Sequence, residues 1–289
     1  MNEEVPSPPL VSIGIPVYNE DRFLEESLQS LLSQDYRNLE IIISDNASTD
    51  KTEAICRKYC NRDHRIRYHR FESNQGATAN FRKVVELAQG RYFMWAAGHD
   101  LWSPNLISEC ASILEKNPDG VIAFGSCTWI DAAGRQMARA SGWTDTRGMD
   151  PIARFFSVFW GNMHPILGVM RIDALRQARF QACIGTDLLM LSELALMGHF
   201  IHASSASWSR REFRDDESYR DRMKRYRSSQ YRLSHSLIDR FFPVVRLPLE
   251  LIKVALRARV PWFEKLGIVG ILVPSLPVKY VIGRRGRSA

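Results

Sequence analysis

The chain predicts an α/β fold built on a mostly parallel sheet flanked by helices, and three observations carry that prediction. Residues 11–52 read as strand, helix, strand: Val11, Ile13 and Ile15, then Phe23, Leu24, Leu28, Leu31 and Leu32 at helical spacing, then Ile41, Ile42 and Ile43. A unit of that length implies parallel strands joined by a right-handed crossover. Strand-like and helix-like segments then keep alternating as far as about residue 134. Neither GxGxxG nor GxxxxGK[ST] occurs, which removes the dinucleotide-binding and P-loop versions of such a sheet.

The first strand runs into Pro16-Val17-Tyr18-Asn19-Glu20 and the second into Ser44-Asp45-Asn46. In open parallel sheets, ligands bind beyond the carboxyl ends of the strands, so these polar clusters are expected side by side in a binding site. Next come a helix at 52–59, a strand at 65–70 and a helix at 77–88, closed by Gly90 as a C-cap signal. A strand at 91–95 runs into Gly98-His99-Asp100. Pro104 opens a further helix from a first-turn position, and Asn117-Pro118-Asp119-Gly120 ends it. Strands follow at 121–124 and 127–130, with a turn at 131–134. Beyond Asp150 the pattern loosens to a helix at 151–159, a strand at 166–170 and a helix at 187–197.

A chain of 289 residues can bury a substantial core, most simply as one large domain with an appendage, after an acidic, Pro-rich N-terminus (1–9) expected to be flexible. That N-terminus has no apolar stretch of the kind a secretory signal needs. Five cysteines without paired metal spacing read as free thiols in a reducing compartment. The net charge of +7 is unevenly placed: from Trp208 onward 19 Lys and Arg face 8 Asp and Glu, whereas the preceding residues carry 20 against 24. A basic tail suits an anionic surface, either membrane or nucleic acid. Residues 220–240 read as a polar helix, 247–256 as an amphipathic one with Lys253 and Arg257 interleaved, and 266–282 as apolar but interrupted by Pro274 and Pro277. A 17-residue helix reaches about 26 Å, short of the roughly 30 Å hydrocarbon core, and proline interrupts a span. The tail is therefore expected in the membrane interface, with packing on the catalytic domain or on a second copy as the alternative. No nucleic-acid motif accompanies the basic residues, so nucleic acid is not an expected partner.

Taken together, residues from about Val11 to about Arg211 resemble a family 2 glycosyltransferase with the GT-A fold. The resemblance implies an enzyme that moves a sugar from a nucleoside diphosphate donor to a hydroxyl with inversion. Its catalytic domain would span 10–218, with 219–289 as a C-terminal helical region. By resemblance, Pro16, Tyr18, Asn19 and Glu20 hold the base and ribose. Asp45, with Asn46 beside it, accepts the imide N–H of uracil. Without the resemblance, Asp45 reads as a turn residue and Asn19 as a cap for the following helix. Asn74-Gln75-Gly76 followed by Asn80 matches the family's N-x-G-x-x-x-N stretch, with Arg82 nearby on either a donor-facing or a solvated helix face.

Gly98-His99-Asp100 stands where family members carry an acidic cluster, and here only Asp100 remains to ligate Mg²⁺ or Mn²⁺. His99 either adds a nitrogen ligand, which favours Mn²⁺, or orients its neighbours. Gly185-Thr186-Asp187 before a leucine-rich helix resembles the catalytic segment, with Thr186 in place of the first acid. Asp187 is then the implied base, with Glu193 as the other carboxylate in reach of consideration. Trp208-Ser209-Arg210-Arg211 resembles the closing R-R-x-H segment, with Phe213 or a neighbour at the His place. Arg210 or Arg211 either reaches the diphosphate or faces solvent. Trp102 is either a floor for the acceptor sugar or a core aromatic.

The implied activity uses a UDP- or dTDP-sugar and a lipid-linked or growing saccharide acceptor. The implied place is cytoplasmic, peripheral on the inner face of the membrane, with a homo-oligomer as a further possibility. The rival reading is a non-catalytic nucleotide-sugar-binding scaffold, because two of the usual acids are missing.

Overall fold

Strand β1 (Val11–Val17) is buried at every position except Pro16, and β2 (Leu39–Asp45) at every position, as befits strands covered on both faces. The computed structural model describes residues 7–139, 141–142, 145–178, 185–213 and 246–285. The remaining strands are β3 (Ile66–Arg70), β4 (Tyr92–Trp95), β5 (Leu101–Trp102), β6 (Gly120–Ile130), β7 (Val169–Arg171) and β8 (His199–Arg211). They form one eight-stranded sheet in the order β3-β2-β1-β4-β7-β6-β8-β5. The first four neighbours are parallel, β7 runs antiparallel between β4 and β6, β8 is parallel to β6, and β5 closes antiparallel on β8. The carboxyl ends of β1, β2, β4, β6 and β8 therefore share one edge of the sheet.

Alternation along the strands divides the core. Ile41 and Ile43 face one layer, with α1 (Leu24–Leu32), α2 (Thr52–Cys60) and α4 (Leu106–Lys116). Ile42 faces the other, with α3 (Ala77–Leu87), α5 (Pro151–Trp160), α6 (Ile172–Gln177) and α7 (Thr186–Met197). The α3 helix lies so close on β1 that a Cβ at Gly14 would sit 2.7 Å from Val84 Cγ2 and Phe93 Cζ. Helix α5 is started by Asp150, whose carboxylate accepts the Ala153 N–H at 2.8 Å, with Pro151 at the first turn. Helix α7 is apolar nearly all round and is buried from Leu188 through Ser192, so it is an interior element.

The fold matches the α/β expectation, and several local expectations are corrected. The strands expected at 121–124 and 127–130 are one strand, β6, with an irregularity between Gly125 and Ser126. The strand expected at 166–170 is a 3₁₀ turn (His164–Leu167) followed by the short β7. Gly90 is not a C-cap: α3 ends at Ala88 in an extended conformation, and the Gly90 N–H donates to Ser12 Oγ at 2.8 Å. Pro104 precedes α4 rather than opening it, since Asn105 is its N-cap. Trp102 takes the core fate, 4 % exposed and stacked on Trp208 with centroids 5.6 Å apart and planes at 17°. The polar helix expected at 220–240 and Cys183 lie outside the described residues.

The tail packs on the body of the chain, the alternative expected for it. Helix α8 (Arg246–Arg257) and helix α9 (Trp262–Arg285) are part of the core: Leu251, Val254, Ala255, Ile268 and Leu272 are buried in the same cluster as α5 and α7. Pro274 and Pro277 do not break α9, which runs on through both. Each proline lacks an N–H and so removes one helix hydrogen bond, while the helix stays otherwise continuous. None of the helices among the described residues is long and apolar enough to cross a membrane.

Candidate active site

The two polar clusters lie side by side at the carboxyl edge and are laced together. Asn19, with φ of 52°, accepts the Thr49 N–H on its Oδ1 at 2.8 Å, and its own N–H donates to Ser48 Oγ at 2.9 Å. The Glu20 N–H donates to Thr52 Oγ1 at 2.8 Å. Asn19 thus ties two loops and does not cap α1, whose N-cap is Phe23. Pro16 is half-buried within β1, and Tyr18 is 47 % exposed on the rim.

Asp45 is fully buried at the end of β2. Its Oδ1 accepts the Ser48 N–H at 2.8 Å and the Ser48 hydroxyl at 2.5 Å; its Oδ2 accepts the Tyr68 hydroxyl at 2.7 Å, with Arg70 Nε 3.5 Å away. Burial and the Asp45 carboxylate push the Tyr68 phenol up, keeping it a donor. In this arrangement the Asp45 oxygens hold the loop.

Asn46 bridges to the next motif. Its Nδ2 donates to Asn74 Oδ1 at 2.9 Å, and its Oδ1 accepts the Gln75 N–H at 2.8 Å. Gly76, at φ of 86°, donates to Asn74 Oδ1 at 2.8 Å and starts α3. Asn80 is buried on α3 and donates to the Val17 carbonyl at 3.1 Å, while its Oδ1 has no hydrogen-bond partner among the described residues. Arg82 is exposed two residues further on. The N-x-G-x-x-x-N stretch therefore abuts both clusters.

The loop after β4 places Gly98, His99 and Asp100 across from Glu20. His99 Nδ1 lies 2.9 Å from Glu20 Oε1, and His99 Nε2 lies 3.9 Å from Asp100 Oδ1. The Glu20 carboxylate thus points at His99. Asp100 is 2 % exposed, and burial pushes its carboxyl up, opposed by His99, by the Arg211 N–H and by Arg210.

Arg211 is tied into the fold. Its N–H donates to Asp100 Oδ1 at 2.9 Å, Nε to the His99 carbonyl at 2.9 Å and Nη2 to Glu26 Oε2 at 2.7 Å, with the guanidinium over Phe23. It is buried and turned toward α1, clamping the strand end to the loop after β4. Phe213 packs edge-on against His99 at 5.0 Å and against Phe23 at 5.1 Å.

Arg210, on the opposite face of β8, is exposed and lies 4.9 Å over the Trp129 ring. Its positive charge lowers the Asp100, His164 and Asp187 groups. Asp187 stands in the first turn of α7, just after Gly185 at φ of 88°. It is itself open to solvent, yet desolvation by the surrounding protein pushes its carboxyl up, with Arg210 opposing. Glu193 is half-buried further along α7. Beside this group, a cavity of about 120 Å³ is lined by residues including Ser126, Cys127, Ser141, His164 and His202. Burial, Arg210 and Arg139 push His164 down to about 4, so it is neutral near pH 7 and shares a hydrogen bond of 2.7 Å with the Ser141 hydroxyl.

Several of these partners escape sequence reasoning: Ser48, Tyr68, Glu26, Trp129 and His164. For Arg70 a signal exists, because parallel register sets it opposite Asp45. No group of three or more His, Cys, Asp or Glu side chains able to hold a metal occurs among the described residues, so a cation here would need oxygens from a ligand.

A mixed α/β sheet with this strand order and its polar loops at one edge defines a glycosyltransferase of the GT-A type. The chain belongs to the family described as "Glycosyl transferase family 2", whose profile matches residues 12–172, more than half of it. An uncharacterized glycosyltransferase of Haemophilus influenzae is 28% identical over 173 residues, covering 60% of this chain and 66% of the relative. The putative teichuronic acid biosynthesis glycosyltransferase TuaG of Bacillus subtilis is 37% identical over 101 residues, covering 35% and 40%. An uncharacterized glycosyltransferase of Rickettsia bellii is 36% identical over 131 residues, covering 44% of this chain and 18% of its own length. The chain thus spans less than half the length of several such relatives. The structure of S. aureus TarS 1-349 in complex with UDP-GlcNAc is similar in fold, with a TM-score of 0.65 at 17% identity, covering 91% of this chain and 71% of that one.

Proposed function

We propose that this glycosyltransferase moves a sugar from a UDP- or dTDP-sugar to a hydroxyl of a lipid-linked or growing saccharide, inverting the anomeric carbon. The observation that carries the reading is the lacing of the loop after β1 to the loop after β2 at the carboxyl edge of the sheet, through Asn19, Glu20, Ser48, Thr49 and Thr52. The fold likeness to a protein crystallised with UDP and with UDP-GlcNAc supports the donor class.

In this reading Asp187 takes the proton of the acceptor hydroxyl as the new C–O bond forms at the anomeric carbon and the bond to the diphosphate breaks. A single displacement of this kind inverts the centre. Asp187 needs only a modestly basic carboxylate, because the hydroxyl becomes acidic as the glycosidic bond forms. Arg210, exposed near the end of β8, is suited in this reading to the negative charge that develops on the leaving diphosphate. Asp100 and His99 fit the donor chemistry of Mg²⁺ or Mn²⁺ completed by phosphate oxygens, and such a cation would neutralise the leaving group. The laced loops, with Asn46, Asn74, Gly76 and Asn80, form the wall for the base and ribose.

The tail reading is a peripheral site on the inner face of the cytoplasmic membrane. Its support is the exposed apolar set Trp262, Phe263, Leu266, Ile271, Val273 and Val278 on α9, next to the basic tail composition. The deciding experiment for the activity is release of UDP or dTDP from a panel of nucleotide sugars, with and without saccharide acceptors. Binding of a donor with no release under any condition would leave the scaffold reading in its place.

A further inference from the structure

Two serine–histidine pairs face one cavity. Ser126 Oγ, on β6, lies 3.0 Å from His202 Nε2, on β8. Ser141 Oγ, on the segment between β6 and α5, lies 2.7 Å from Nδ1 of His164, which the 3₁₀ turn brings in. All four line the cavity of about 120 Å³, together with Cys127 and Phe124. No carboxylate, lysine or arginine among the described residues lines it, and His164 is held neutral by burial and by Arg210 and Arg139. A hydroxyl offers one donor and two acceptor sites, and a neutral imidazole one of each, so each pair keeps bonding capacity after its internal bond is made. For His164 Nε2 the same Ser141 oxygen is 3.4 Å away, beyond the usual range of such a bond.

The walls therefore offer no countercharge to an ion. They suit a group that both donates and accepts, which is what a sugar hydroxyl does. Pockets that take a whole small molecule run to roughly 300–1,000 Å³, so this one takes an edge of a sugar rather than all of it. Its place in the sheet agrees. Cys127 pairs with Trp208 and Trp129 with Arg210, so the cavity lies about 7 Å along the strands from Arg210. The polar loops follow β1 and β2, and β6 stands three places from β1, roughly 14 Å at the usual strand spacing. That half of the sheet serves the saccharide end of the reaction rather than the base and ribose.

We propose that this cavity is a saccharide subsite, in which the Ser141–His164 and Ser126–His202 pairs bind hydroxyls on one edge of a sugar. The inference rests on the glycosyltransfer reading above and deepens it by assigning sugar-recognition residues on β6, β8 and the segments packed against them. The transferred sugar and the acceptor share this chemistry, and the experiment separates them.

The test uses the full chain and two readouts. The first is the kinetics of UDP or dTDP release by the parent, Ser141→Ala and Ser126→Ala, with the nucleotide sugar and acceptor that support turnover. Loss of one neutral hydrogen bond should raise one saccharide KM by roughly two- to tenfold, while kcat and inhibition by UDP stay at the parent values. A rise for the nucleotide sugar alone assigns the cavity to the transferred sugar, and a rise for the acceptor alone assigns it to the acceptor. Weaker inhibition by UDP, or parent values of both KM in variants that melt with the parent, overturns the inference and leaves the activity standing. The second readout needs neither turnover nor a folded variant. The His164 and His202 ring ¹⁵N resonances of the parent should move on addition of the methyl glycosides of glucose, galactose or N-acetylglucosamine, and not with inorganic phosphate. Where no nucleotide sugar turns over, the glycosyltransfer reading falls and the rings decide the cavity: movement with a glycoside keeps the subsite, and movement with none, or with phosphate alone, overturns it.

Discussion

Asp187 is the residue whose surroundings make the sharpest claim on pH. Desolvation raises its carboxyl and Arg210 lowers it, so the acid limb of kcat/KM should lie above the usual aspartate range near 3.9. Removing the opposing charge in Arg210→Gln should move that limb further up, and a limb that stays put or moves down would separate Arg210 from Asp187. Asp187→Asn should cut turnover by roughly a hundredfold or more while donor affinity stays near the parent value. Asp100 yields a stability prediction. Its folded pKa is raised, so the fold favours the protonated form; that contribution is whole below the unfolded pKa near 3.9 and is lost as pH rises through the folded value. Asp100→Asn, which keeps an oxygen for the Arg211 N–H, should therefore melt higher than the parent at pH 7 and equally at pH 3, while its cation-dependent donor binding falls. The sequence locates both aspartates because each follows a strand or precedes a helix that its apolar pattern announces. It could not show which groups engage Asp45 and Arg211, since Tyr68 and Glu26 come from distant segments and leave no local pattern.

Helix α7 joins the site to the tail. Gly185 takes a left-handed φ of 88°, and a Cβ there would lie 2.8 Å from Leu247 Cδ2 on α8. Gly185→Ala should thus suffer both backbone strain and a collision and displace Asp187, two residues on. The expected result is lower turnover together with a lower melting temperature, and loss of neither would detach α8 from the placing of α7. Leu251, fully buried on α8, should cost about 2–5 kcal/mol on truncation to Ala, measurable by urea unfolding. At this scale most of the fold is legible from periodicity: β1, α1 and β2 stand where the apolar spacing puts them. The misses follow from tertiary context. An irregularity inside β6 looks like a strand break, and the edge of β8 before Trp208 is too rich in Ser and Ala to read as a strand. Prolines in α9 read as breaks because packing on α5 cannot be seen from the chain alone.

For the whole molecule, charge separates body from tail, whereas packing unites them. Four large apolar side chains of α8 and α9 (Leu251, Val254, Ile268, Leu272) are buried in the main core. Each contributes roughly 1.5–3 kcal/mol, and a total stability of about 5–15 kcal/mol could not spare them all. Deletion of 247–289 should accordingly yield aggregated protein rather than a released catalytic domain, judged by gel filtration. Membrane attachment is better tested on the exposed set: Trp262→Glu with Phe263→Glu should keep the parent melting temperature and reduce flotation with anionic vesicles. Parent protein that ignores such vesicles at low salt would remove the interfacial reading of the tail.

The stacked indoles of Trp102 and Trp208 give the protein a spectroscopic signature of its own. Two such chromophores, 5.6 Å apart and 17° from coplanar, couple their electronic transitions, and the coupling depends steeply on their mutual orientation. The pair spans β5 and β8, the strands that flank Asp100 and lead into Arg210. Circular dichroism in the aromatic region thus becomes an unlabelled gauge of whether that end of the sheet moves when a donor arrives.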